Sequence, residues 1–242
     1  MFHLTSYLPF LLLHQNTQNG FRTEYLAGLW KSHLVACLMW WNGSITGHDP
    51  NRRGRTTNPY YDQKCLRPTK FRAPSWSWAS IDGAISHHRG DHFTKTLEIV
   101  SCSVTLASSD LPFGEVTGGS LKVTGDMKRA AWIHANGYQH LFSLAPSIEP
   151  TGSKYVPFRR IGSCFVDSLD DLAGSEGVFR LVDCLLICPR PRESSSLHPS
   201  GLVVAFHEPD VCRRIGWFTI DSESTYPSYV EEHPVRRTIT II

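Results

Sequence analysis

Between Ser101 and Ile242 the segments SCSVTLA, SLKVTG, GVFRLVDCLLICP, GLVVAFHE, RRIGWFTI and TITII recur, separated by Gly, Pro, Asp or Ser. Each is short, rich in β-branched and aromatic residues, and bounded by turn formers, which is how strands read and helices do not. GLVVAFHEPDVCRRIGWFTI predicts a hairpin turning at Glu208 to Val211. TITII needs a neighbouring strand to take up its backbone donors and acceptors. No repeat at solenoid or propeller spacing is present. The pattern restricts the chain to the α+β class, predominantly β, with an antiparallel sheet or a barrel-like body.

One segment upstream has a different period. In TEYLAGLWKSHLVACLMWW, Thr23 to Trp41, the residues Leu26, Leu29, Trp30, Leu34, Cys37, Leu38 and Trp41 recur at spacings of three and four. That stripe predicts one main N-terminal amphipathic helix, capped by Thr23 and stopped by Asn42-Gly43. Gly28 within it is unfavourable by about 1 kcal/mol relative to alanine, so its presence points to a close approach by another element. The stretch from Asn42 to Lys64, rich in Gly, Pro, Asn and Arg, has no period and is expected to be an exposed loop. The domain reading is a short lead-in over residues 1–22 and a single β-rich domain over 23–242.

The densest motif is FRAPSWSWASIDG, Phe71 to Gly83. Read as a strand, it sends Trp76, Trp78 and Ser80 to one face and Ser75, Ser77 and Ala79 to the other. Pro74 sets the entry, and Asp82-Gly83 offers a turn. Each tryptophan buries on the order of 200 Å², so the pair is expected to anchor the helix carrying Trp30 and Leu34 to the β body.

Reactive alternatives are weaker. A hydrolase elbow requires small residues on both sides of its serine, whereas Ser77 stands between two tryptophans. A triad of Ser77 with His87 or His88 and Asp82 can be drawn on paper, but 12 histidines permit many such drawings. Cys184 and Cys188 share a face of an extended strand about 13 Å apart, too far to bind one zinc. The glycines of FGEVTGGS lack the Lys-Ser/Thr ending of a phosphate loop and lead into a strand. Asp167, Asp170 and Asp171 read as a solvated turn. No catalytic residue, metal ligand or cofactor is expected.

Composition narrows the partners. With 24 basic and 22 acidic residues the net charge is +2, unlike a dedicated nucleic-acid binder, and Arg52, Arg53 and Arg55 are expected to be solvated. Seven cysteines spread over 242 residues suit reduced thiols in a cytosolic or nuclear setting, and a cytoplasmic location is expected. The apolar run FHLTSYLPFLLLH has no preceding Lys or Arg, is interrupted by Pro9 and falls short of the ~20 residues that span a bilayer, so neither a signal peptide nor a membrane segment is expected.

EYLAGLWKSHLVACLMW followed by RPTKFRAPSWSWASIDG resembles the stretch downstream of the core in fungal heterokaryon-incompatibility (HET) domain proteins. There a Y-L-A-G-L-W helix precedes an A-P-S-W-S-W-A-S strand. LPFGEVTGGSLKVTG, GLVV and RRIGWFTI resemble the later β region of that family. In this sequence the resemblance rests on Tyr25, Leu26, Gly28, Leu29 and Trp30, and on Pro74, Ser75, Trp76, Ser77, Trp78, Ser80, Asp82 and Gly83. It implies a part in non-self recognition leading to programmed cell death, with other proteins of the incompatibility system as partners. The HET core, which precedes the Y-L-A-G-L-W helix in that family, has only about 20 residues to occupy here, so a non-catalytic recognition or regulatory portion is expected. The alternatives are a hydrolase-like enzyme using Ser77 and a truncated remnant without function.

Overall fold

A computed structural model of the chain describes residues 24–42, 65–87, 96–135, 138–144, 159–172, 177–188, 198–220 and 234–242. Residues 1–22, the Thr23 cap, Gly43, the arginine-bearing loop and His88 lie outside them.

The molecule is built on long antiparallel strands, as the punctuated apolar segments require. They are β5 (Glu98–Leu106), β6 (Val116–Ala135), β7 (Tyr138–Ser143), β8 (Arg159–Val166), β9 (Phe179–Cys188), β10 (Ser200–Glu208), β11 (Val211–Ile220) and β12 (Val235–Ile241). All eight belong to one sheet. The pairings close on themselves: β9 pairs with β6, β6 with β7, β7 with β8, β8 with β11, β11 with β10, and β10 with β9, every one antiparallel. The body is therefore barrel-like, and its interior is filled by side chains such as Trp132, Leu141, Val182, Cys184, Val203 and Phe218.

β6 is twenty residues long and serves two neighbourhoods. Its second half belongs to the closed ring, while its first half leaves the ring to pair with β5 and β12. β12 also meets the start of β11 in parallel, at Val211 and Cys212, so the TITII segment is paired on both edges. Alternation along β9 and β10 sends Leu185, Ile187, Leu202 and Val204 out of the ring. There they form a second core with Leu121, Val123, Ile239 and Ile241, and the N-terminal segment covers it.

The predicted hairpin is present, with β10 ending at Glu208 and β11 beginning at Val211. The predicted helix over Thr23 to Trp41 is not. β1 (Tyr25–Leu26) and β2 (Leu29–Trp30) form an antiparallel pair, a 3-10 turn follows at Lys31–His33, α1 spans only Leu34–Cys37, and β3 (Trp40–Asn42) closes the segment. The reason is local. Ala27 has φ 48° and Gly28 φ 98°, values no right-handed helix accepts but which the two central residues of a tight hairpin turn adopt. Of the predicted stripe Leu26, Leu29, Leu34 and Leu38 are buried, whereas Trp30, Cys37 and Trp41 are only partly so and Val35, Met39 and Trp40, outside it, are buried, because a hairpin followed by a short helix takes the place of one long helix.

The strand expected at SWSWAS is also replaced. Residues 75–77 turn and Trp78–Ser80 form a 3-10 helix capped by the Ser77 hydroxyl. Asp82 makes an isolated bridge with Leu66, not a hairpin turn, and Gly83 (φ 145°) leaves room for the Cys65 thiol. β4 (Ile85–His87) then pairs with β3. Cys184 and Cys188 do not share a face, because the irregularity at Ser200/Gly201 sends Cys184 into the ring and Cys188 into the second core.

Candidate functional site

The residues singled out in the sequence converge on the junction between the N-terminal segment and the barrel. The β1–β2 turn points its carbonyls at the SWSWAS segment: the Ser77 hydroxyl donates to the Ala27 carbonyl, and Trp78 Nε1 donates to the Gly28 carbonyl over 2.9 Å. A side chain at position 28 would put its Cβ 2.9 Å from the Trp78 indole, so glycine is required there by both φ and space. Trp76 is fully buried among the second-core residues, and its carbonyl accepts from Trp40 Nε1 at 3.1 Å. Pro74 lies against β6 at Gly119, where an added Cβ would come within 2.7 Å of the ring.

Ser75 faces the other way and binds the end of β12. Its N–H donates to the Ile242 main-chain oxygen at 3.2 Å, its hydroxyl donates to the same oxygen, and that hydroxyl accepts from the Arg214 N–H at 2.9 Å. Ser80 donates to the Ser75 carbonyl at 3.4 Å, closing the turn on itself. Outside, Arg72 fastens the motif by donating to the carbonyls of Ala79 and Ile81 and to Asp82.

Beneath Ser75 lies a buried ion pair. Arg214 Nε and Nη2 donate to the two carboxylate oxygens of Asp167 at 2.9 and 3.1 Å. Nη1 donates to the Leu38 carbonyl at 2.8 Å, Nη2 also to the Trp40 carbonyl, and the guanidinium stacks 3.5 Å over the Trp40 ring. Burial raises the Asp167 pKa and lowers that of Arg214, each against the pull of its partner. Nearby, Asp171 bridges Arg67 at 3.0 Å and Arg213 at 2.7 Å. The expected solvated turn is thus corrected: Asp167 and Asp171 are buried, and of the three acids only Asp170 is exposed.

Sequence reasoning missed Arg214 and Trp40 and placed Asp167 in solvent. One signal was available, since VCRRIGWF read as a strand sends Arg213 and Arg214 to opposite faces and one of them must turn inward.

Among the described residues the drawn triad is not assembled, and its His88 version lies outside them. Both hydrogen-bond roles of the Ser77 hydroxyl are filled by backbone groups, the Ala27 carbonyl and the Ala79 N–H, and Asp82 is engaged by Arg72. His87 sits on β4 opposite Trp40, where burial and then the charge of Arg214 push its pKa down to about 4. None of the seven cysteines is in a disulfide, and burial pushes Cys102 and Cys188 up to about 11 and Cys212 to about 12. Among the described residues no group of three or more His, Cys, Asp or Glu is placed to hold a metal ion, and no helix is long and apolar enough to cross a membrane.

What this arrangement does chemically is hold chain segments together. It joins β1–β2, the SWSWAS turn, β3, the residues after β8, β11 and the end of β12 through hydrogen bonds that depend on their side chains. Compared with protein-family models, curated proteins and solved structures, the chain matches none.

Proposed function

We propose that this chain is a recognition or regulatory portion, without catalytic duty, of a protein of the fungal heterokaryon-incompatibility type. It acts in the cytoplasm, with other proteins of the incompatibility system as partners, in non-self recognition that ends in programmed cell death. One observation carries the reading. EYLAGLW and APSWSWAS, the two motifs that bear the resemblance, are about 50 residues apart yet form two halves of one joint, through Ser77 to Ala27 and Trp78 to Gly28. Gly28, Ser77 and Trp78 each enter that contact through their residue type, which supports reading the motifs as architecture.

Expression in fungal cells tests the reading. The chain alone leaves cells viable, and co-expression with a HET core supplied separately changes the extent of death. Robust killing by the chain alone contradicts the proposal. So does ester hydrolysis by the purified protein that Ser77→Ala abolishes while the fold persists.

A further inference from the structure

We propose that the exposed aromatic patch beside the β1–β2 hairpin docks a basic, apolar-bearing peptide segment of a partner protein. This deepens the recognition reading above and rests on it.

The patch is built by two separate elements. Tyr25 and Trp30 face each other across the β1–β2 pair, with ring centroids 5.3 Å apart. The β5–β6 connection folds over toward them. It is held by the Ala107 N–H donating to the Glu115 carbonyl at 2.8 Å, the Leu111 N–H to the Ser108 carbonyl at 3.2 Å, and the Gly114 N–H to the Leu111 carbonyl at 2.9 Å. Its tip sets the Phe113 ring edge-on, 5.1 Å from Tyr25 and 6.3 Å from Trp30. Phe113 is nevertheless 68% exposed and Leu111 beside it 60%. Large apolar side chains held in a fixed cluster and left in water are the composition of an interface centre.

Charge selects the occupant. The two elements carry Glu24, Asp110 and Glu115 against one lysine, Lys31; Lys31 and Glu24 pair with each other at 2.6 Å, so the charge left unbalanced is that of Asp110 and Glu115. Two acids on the connection that carries the exposed Phe113 ring attract Arg or Lys side chains, through their charge and through the ring itself. A second copy docked across a two-fold axis on this patch would set the same acids against one another, and nucleic-acid phosphate would meet them too. A partner segment alternating basic and aliphatic side chains satisfies both the acids and the rings.

The test titrates an acetylated, amidated Gly-Arg-Leu-Leu-Arg-Gly peptide into the full chain, followed by amide chemical shifts, with Gly-Glu-Leu-Leu-Glu-Gly as the opposite-charge probe. The arginine peptide shifts amides of residues 24–31 and 108–115, weakens as salt rises from about 50 to about 500 mM, and loses at least about tenfold in affinity in Phe113→Ser or Leu111→Ser. Leu181→Ser, at an exposed site on β9, binds as the unaltered chain does. The glutamate peptide leaves the patch unshifted. The proposal is overturned if the arginine peptide shifts nothing there, if both peptides bind alike, if Phe113→Ser and Leu111→Ser bind undiminished, or if the patch is instead occupied by a second copy at raised concentration. The cell-death assay uses no peptide, so it can uphold the recognition reading while this docking site fails.

Discussion

Arg214 and Asp167 meet as a two-pronged ion pair, with Nε–Oδ2 at 2.9 Å and neither side chain exposed to solvent. Two charges taken out of water carry a penalty of several kcal/mol each unless nearly every donor and lone pair finds a partner. The guanidinium finds two further partners in the carbonyls of Leu38 and Trp40, and Asn42 donates to the Asp167 carbonyl at 3.3 Å. The pair is therefore a fastening between the N-terminal segment and the barrel, placed where α1 gives way to β3.

Asp167→Ala leaves Arg214 charged and buried without its counter-ion, and the expected loss is about 3–5 kcal/mol in urea unfolding. The double variant Asp167→Leu/Arg214→Met removes both charges together. It is expected to lose less than the sum of the singles, retaining a deficit of about 2 kcal/mol from the unpaired Leu38 and Trp40 carbonyls. Additive losses would show that the two side chains do not act on one another.

Gly28 and Gly177 both have positive φ, at 98° and 71°, but only the first has a neighbour. An alanine at 177 would meet nothing within 4 Å, so Gly177→Ala carries only the left-handed backbone term of about 1–2 kcal/mol. Gly28→Ala must in addition displace the Trp78 indole and strain its bond to the Gly28 carbonyl. Its loss is expected to exceed that of Gly177→Ala by at least about 1 kcal/mol in chemical denaturation. Equal losses would mean that Trp78 yields freely.

The half-buried His87 has its pKa lowered to about 4 by burial and by Arg214, against an ordinary value of 6.5. The unfolded chain therefore takes up a proton between pH 6.5 and about 4 that the folded chain refuses. Its contribution is intact above pH 6.5, declines by at most about 1.4 kcal/mol per unit as pH falls, and levels off below about 4. Melting temperatures from pH 7 to 4 should fall more steeply for the unaltered chain than for His87→Gln. A constant difference between the two would refute this.

The long strands were legible because alternation and turn residues are local. Glu208 and Val211 bound the observed β10–β11 turn for that reason. The N-terminal segment was not, since apolar residues three and four apart describe a helix and also a two-residue hairpin running into a single helical turn. The left-handed pair Ala27 and Gly28 decided between them, and the signal was confined to one glycine. At SWSWAS the alternation of Trp76 and Trp78 suggested a strand. Pro74 before Ser75 and the capping hydroxyl of Ser77 instead produced a turn and a 3-10 helix. The Arg214–Asp167 pair joins residues 47 apart, a distance over which periodicity carries no information.

The central claim is that the two indoles of SWSWAS join the N-terminal hairpin to the barrel, and the double variant Trp76→Ala/Trp78→Ala addresses it most directly. Trp76 is fully buried and Trp78 partly so, and truncating a buried tryptophan costs about 3–5 kcal/mol. Thermal unfolding followed by circular dichroism should show a loss of several kcal/mol, together with loss of protection from hydrogen exchange at the hairpin amides of Leu29 and Lys31. An unchanged melting curve with those amides still protected would contradict it.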